Sequence, residues 1–179
     1  MERTIYNPLY KDTITFISTS QETNGAFTEI LLTVMPGGGN PIHVHQTYTE
    51  TFTPISGVLG LTRGDEKLFV AAGQSVIIEK GVKHNFFNAT NEPCKVSIVF
   101  RPGHEGIENV LRIGYGLARD GKTNKKGVPH SLLEAAVLFD MSETNMPGFF
   151  AFINPLMRVL ARRADRLGVV KRLLTTYCS

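Results

Sequence analysis

Glycine, proline and asparagine cut the first hundred residues into short pieces, and this punctuation restricts the fold more than any other feature of the chain. The stretch "DTITFIS" (12–18) alternates, with Ile14 and Phe16 on one side. The next, "AFTEILLTVM" (26–35), is rich in β-branched and aromatic residues and carries apolar groups on both faces. "TETFTPI", "GVLGLT", "EKLFVAAG", "SVIIEK", "HNFFN" and "CKVSIVF" follow, separated by breaks such as "PGGGNP", "RGDE" and "TNEP". Many short strands at near-regular spacing predict a mainly β domain, a sandwich or a barrel. Apolar residues on both strand faces place one face on an interior and the other beneath a second sheet, a helix or another subunit.

The pattern changes after Pro102. Ile107, Val110, Leu111 and Gly114 fit a short helical stripe. "ARDGKTNKKGVP" (118–129) reads as a polar loop, and Ser131 with Glu134 as a capping box opening a second helix. Asn154-Pro155 fits the N-cap and first position of another helix, ended by Gly168 before a last short turn to Tyr177. The expected organisation is a β domain over residues 1–102 and a helical extension over 103–179, packed on that domain or on a dimer partner. Phe149, Phe152, Ile153, Leu156, Leu160, Ala164 and Leu167 form the apolar stripe expected to make the packing contact.

A chain of 179 residues, 42% hydrophobic and 20% charged, has the composition of one soluble globular domain. No apolar run reaches the roughly 18 residues of a membrane span, and the start lacks the apolar core of a secretory signal. The expected location is the cytoplasm. Cys94 and Cys178 form no zinc-type cluster; Cys94 reads as a core residue. The net charge of +3 is concentrated at Arg158, Arg162, Arg163, Arg166, Lys171 and Arg172. These residues read as the wet face of a surface helix, in preference to contact with an anionic membrane. "GKTNKKG" has no interleaved aromatics, so nucleic acid is not an expected partner.

Two of the five histidines stand in "GNPIHVHQTYTE". Alternation along a strand puts His43 and His45 on one face, where both imidazoles can aim at one point. Glu50 can reach that point from a neighbouring strand, and His84 offers a fourth donor at another strand start. Three imidazoles and a carboxylate suit Mn²⁺, Fe²⁺, Ni²⁺ or Zn²⁺. Four protein ligands leave two octahedral positions for water or substrate. His104 and His130 read as structural or solvent-facing.

These residues carry a family resemblance. Gly37, His43, His45, Glu50 and Gly57 match the first cupin motif at every position. Fifteen residues then intervene, and Gly73, Gly81, His84 and Asn88 match the second motif, with Glu79 where cupins usually carry proline. The two motifs span residues 37–57 and 73–88, and the flanking strands extend the likeness to about residues 10–102. The chain thus resembles a small cupin, which implies a jelly-roll β-barrel with the metal inside, near one open end. The resemblance implies His43, His45, Glu50 and His84 as the ligands of one divalent ion and Asn88 as a structural hydrogen-bonder. Strand parity adds Phe52 and Phe86, with Asn88, as candidate pocket residues. Glu79 stands at a rim turn, where it reads as solvated. The helical tail resembles that of small bacterial cupins, a likeness that implies no particular activity.

Two functions follow from such a site. One is a metal-dependent enzyme, an oxygenase or an isomerase or lyase, acting on a small molecule. The alternative is a non-catalytic cupin that binds metal and a small ligand as a sensor; fold alone does not choose between them. The complete ligand set and the absence of a recognition-helix pattern favour the enzyme. A homodimer is the expected assembly.

Overall fold

The structure, a computed structural model, describes residues 2–145 and 152–179. Ten strands come first: β1 (Thr4–Asn7), β2 (Asp12–Ser18), β3 (Thr28–Val34), β4 (Val44–His45), β5 (Thr49–Ser56), β6 (Val58–Arg63), β7 (Glu66–Ala71), β8 (Val76–Ile78), β9 (His84–Phe87) and β10 (Cys94–Arg101). Nine of them form a six-stranded antiparallel sheet in the order β1-β2-β3-β10-β5-β8 and a three-stranded sheet β7-β6-β9. In β3, whose sequence carries apolar groups on both faces, buried and half-buried residues strictly alternate.

One apolar cluster joins the sheets. Phe16, Ile30, Leu32, Phe52, Ile98 and Phe100 come from the larger sheet, and Leu59, Leu61 and Val70 from the smaller. The two sheets therefore face each other across a shared core. Each such side chain, fully buried, contributes about 1.5–3 kcal/mol. Gly39 and Gly57 make the connections between them feasible. Gly39 has φ +154°, and a Cβ there would lie 2.5 Å from the Phe86 carbonyl. Gly57 turns between β5 and β6 with φ +77° and would strike Pro93 and Cys94. Cys94 is fully buried in β10.

The helical part begins with α1 (Glu105–Arg119), longer than its sequence stripe. His104 caps it, its Nδ1 accepting the Ile107 N–H at 3.0 Å. Two polar anchors fix α1 to the β layer. The Glu108 carboxylate accepts from the Ser20 N–H (2.6 Å) and the Thr28 hydroxyl (2.5 Å). Arg112 lies 3.8 Å over the Phe16 ring and donates to the Glu2 carbonyl. Next, α2 (Leu132–Met141) starts on Ser131, whose hydroxyl accepts the Glu134 N–H at 3.4 Å. The Glu134 carboxylate pairs with Arg172 (2.8 Å). A short strand, β11 (Thr144–Asn145), then returns to pair with β4.

Two helices end the chain, α3 (Ile153–Arg166) and α4 (Val169–Tyr177), broken by Gly168 at φ +73°. Phe152 occupies the N-cap of α3, so Asn154 and Pro155 lie within its first turn and the helix starts two residues earlier than predicted. The apolar stripe is buried within the chain only in part. What α3 buries is Ala161 and Ala164, the latter joining Ile113, Leu117, Val137 and Leu173 in a second cluster. Phe152, Leu156 and Leu167 are exposed. Phe149 lies outside the described residues. Among the described residues no helix is long and apolar enough to cross a membrane.

Candidate metal centre

His43 and His84 face each other as a backbone-paired couple, each N–H donating to the other's carbonyl at 3.0 Å. Directly opposed residues share one face, so both imidazoles project the same way, with ring centroids 4.3 Å apart. His45 joins them by parity along its own strand. Its position is locked by the Thr144 pairing and by Gly81, whose N–H donates to the His45 carbonyl at 2.8 Å. Glu50 enters from β5, held in register between Phe100 of β10 and Ile78 of β8.

The donor atoms of these four residues lie within 4.8 Å of one another. His45 Nε2 is 3.3 Å from His84 Nε2 and 3.3 Å from Glu50 Oε1, and His84 Nε2 is 3.2 Å from Glu50 Oε2. Donors bound about 2.1 Å from a shared ion stand about 3.0 Å apart along an octahedral edge and about 3.4 Å along a tetrahedral one. The three spacings among His45, His84 and Glu50 fall between these limits.

The ring tautomers are fixed by the backbone. Nδ1 of His43 faces the Pro41 carbonyl (2.9 Å), that of His45 the Tyr48 carbonyl (3.0 Å), and that of His84 the Val82 carbonyl (2.9 Å). A carbonyl only accepts, so each Nδ1 carries the proton and each neutral ring turns an Nε2 lone pair to the centre. His45 and His84 are fully buried, and Glu50 is 6% exposed. Burial pushes the Glu50 carboxyl up, but the pull of His45 and His84, whose Nε2 atoms would carry protons wherever no cation took their place, outweighs it and holds it at about 2. Burial also lowers His84, where contact with Glu50 wins and the net shift is upward. In His43 burial prevails and the shift is downward. Converging lone pairs beside a buried carboxylate call for one compact positive charge, which a divalent ion supplies. The four residues fit such an ion.

The centre opens into a cavity of about 190 Å³, reached by His43 and Glu50 and lined by Phe52 and Phe86 among other apolar groups. Asn88 is elsewhere. Its amide donates to the Val34 and Glu92 carbonyls and its oxygen accepts from Thr90, which leaves nothing for a ligand. This corrects its assignment to the pocket and matches the structural role implied by the resemblance. Glu79 is exposed at the turn and does not line the cavity. His130 is exposed, and His104 serves as the helix cap described above.

Four cavity residues were not found by sequence reasoning. The ring of Tyr48 stacks on His45 at 4.0 Å, and its hydroxyl donates to the Ser142 carbonyl. Burial, then the charge of Glu50, keeps that hydroxyl protonated. Thr144 arrives on the two-residue strand β11, which leaves no periodic trace. Tyr115 comes from α1, and Asp12 from the start of β2. Asp12 was legible: it shares parity with Ile14 and Phe16, both on the inward side of β2. Burial pushes its carboxyl up to about 6, with the Tyr115 hydroxyl partly opposing.

The cupin domain family model matches residues 30–100, a stretch that contains all four donors. Xanthan biosynthesis protein XanB of Xanthomonas campestris pv. campestris is 31% identical over 81 residues in strain B100 and 30% in strain ATCC 33913. That alignment takes in 45% of this chain but spans only 17% of the XanB length. Among solved structures, the protein TT1209 of Thermus thermophilus aligns with a TM-score of 0.48 at 22% identity, over 54% of this chain and 88% of its own. A predicted oxalate decarboxylase of Thermotoga maritima aligns with a TM-score of 0.48 at 16% identity, over 51% and 80%. Residues 30–100 are thus what ties this chain to the cupin domain family, and they carry His43, His45, Glu50 and His84 together.

Proposed function

We propose that His43, His45, Glu50 and His84 hold one divalent transition metal inside a jelly-roll cupin barrel, and that the protein is a metal-dependent enzyme acting on a small organic molecule. One observation carries the reading: all three imidazoles are tied through Nδ1 to backbone carbonyls, so their Nε2 atoms converge on a carboxylate with no proton of their own. A bound ion there would supply Lewis-acid chemistry, or a site for dioxygen, of the oxygenase or the isomerase and lyase type.

The chain's own residues supply orientation and dryness. Tyr48 packs against His45 and fixes its ring plane, while Phe52 and Phe86 give the cavity an apolar wall that strengthens polar contacts to a ligand. His43, the least buried of the imidazoles, faces the cavity and meets the incoming molecule first. In our reading the protein works as a homodimer, and the exposed Phe152, Leu156 and Leu167 suit a second copy better than water. The sensor reading shares the metal site and lacks turnover.

A turnover screen separates the two. The protein is loaded with Fe²⁺ or Mn²⁺ and offered small diketones, thiols, phenols and hydroxy acids, with oxygen uptake and product mass followed. Catalysed conversion that disappears in His84→Ala is expected. A metabolite that co-purifies tightly and is never converted with any metal would establish the sensor instead.

A further inference from the structure

The cavity has a second polar end. Asp12 and Tyr115 line it together with His43 and Glu50, and between them the wall is apolar, made by side chains such as Ile14, Leu32, Ile98 and Leu111. Sheet register places the two ends far apart. Glu50 pairs with Phe100 of β10, whereas Asp12 sits one residue before the Thr13–Thr33 pair, in the row of Val34 and Cys94. They are thus six residues apart along the strands and three strands apart across the sheet. That is on the order of 20 Å over the sheet surface, and less straight across a coiled sheet.

The groups at this far end have capacity to spare. The Oδ1 atom of Asp12 is buried with no hydrogen-bond partner, an arrangement a fold retains at a cost unless a ligand completes it. Three other polar groups of the cavity are engaged. Asn40 accepts the Phe86 N–H, Tyr48 donates to Ser142, and Tyr10 donates to the Lys126 carbonyl. Tyr115 lies against the Asp12 carboxylate. An acceptor-only group beside a phenol is suited to a ligand hydroxyl or ammonium.

We propose that Asp12 and Tyr115 form the far end of the ligand site and select an elongated small molecule with a metal-binding oxyanion at one end, an apolar body, and a hydroxyl or ammonium at the other. Only the oxyanion end rests on the metal reading of the four-residue centre. The far end stands on the cavity and on Asp12 itself.

The test uses straight-chain ω-hydroxyalkanoates of about six to twelve carbons, each against its parent alkanoate, a size range suited to a cavity of this volume. Binding to the full-length Zn²⁺-loaded protein is followed by calorimetry. At the best chain length the hydroxy acid is expected to bind at least about tenfold more tightly, because a site built to bond a hydroxyl discriminates against its absence. Asp12→Ala abolishes that preference and leaves the parent acid's affinity within about twofold. Tyr115→Phe reduces the preference, and Asp12→Asn gives an isosteric variant in case the alanine form does not fold. Equal binding of the paired probes, or no binding at any length, overturns the proposal. The metal-stripped protein separates the two readings. A hydroxyl preference that survives stripping with undiminished affinity keeps the far end and rejects the metal as the oxyanion's partner. Metal-dependent binding without a hydroxyl preference does the reverse.

Discussion

Asp12 carries a stability consequence that tests its environment independently of any ligand. Its carboxyl is pushed from the ordinary 3.8 up to about 6, chiefly by burial. Such a shift corresponds to about 3 kcal/mol at full burial, and to about 1–2 kcal/mol once partial solvent screening is allowed for. The folded protein holds this proton more tightly than the unfolded chain. The associated stability is therefore complete below about pH 4 and is lost as pH rises through 6. Asp12→Asn should raise stability in urea by about 1–2 kcal/mol at pH 7.5 and leave it nearly unchanged at pH 4. A variant less stable than the parent at pH 7.5 would show that the carboxylate is satisfied in the fold. Asn88 teaches the opposite lesson. Parity places it inside, correctly, yet it is tied up by Val34, Thr90 and Glu92. Parity tells which way a side chain points, and only the surrounding loop tells whether its hydrogen bonds are free.

Among the elements, α1 does the most to shape the site from outside the motifs. Its Ile107, Leu111 and Tyr115 form one wall of the cavity, while Glu108 and Arg112 pin the helix to the β layer. Replacing Glu108 by alanine strands the Ser20 N–H and the Thr28 hydroxyl, and should destabilise the fold by about 2–3 kcal/mol in urea melts. A loss below about 0.5 kcal/mol would mean that the helix is held by its apolar face alone. How much of this is legible in the sequence follows from the physics of each element. The strand β2 announces itself through alternation and β3 through its β-branched and aromatic residues, and Ser131 announces α2 through its cap. The start of α3 is harder to place because Asn154-Pro155 is a good cap pair on local grounds, yet the helix begins at Ile153. The stripe on α3 says less, because helical periodicity marks an apolar face without saying what covers it. The ligand spacing is the most legible feature of all, since four donors on paired strands need a fixed register. Thr144 is not legible, because a two-residue strand has no period.

At the scale of the molecule, the four donors come from separate parts of the β domain. Glu50 belongs to the larger sheet, His84 to the smaller, and His43 and His45 to the segment that β11 and β9 hold between them. An ion that binds only the folded arrangement must stabilise it by mass action, by about 2.7 kcal/mol at a hundredfold excess over its dissociation constant. For a chain of this size, stripping the metal with a chelator should lower the melting temperature by several degrees, on the order of 5–10 °C, and adding Zn²⁺ or Mn²⁺ back should restore it. An unchanged melting curve would place the four residues together for some reason other than a cation. The most direct test of the account is elemental analysis of protein purified without an affinity tag, beside His43→Ala and His84→Ala prepared identically. We predict about one equivalent of a single divalent transition metal per chain, and at least a tenfold loss in each variant. Full metal content in both variants, or none in a parent protein given free access to all four candidate ions, would contradict it.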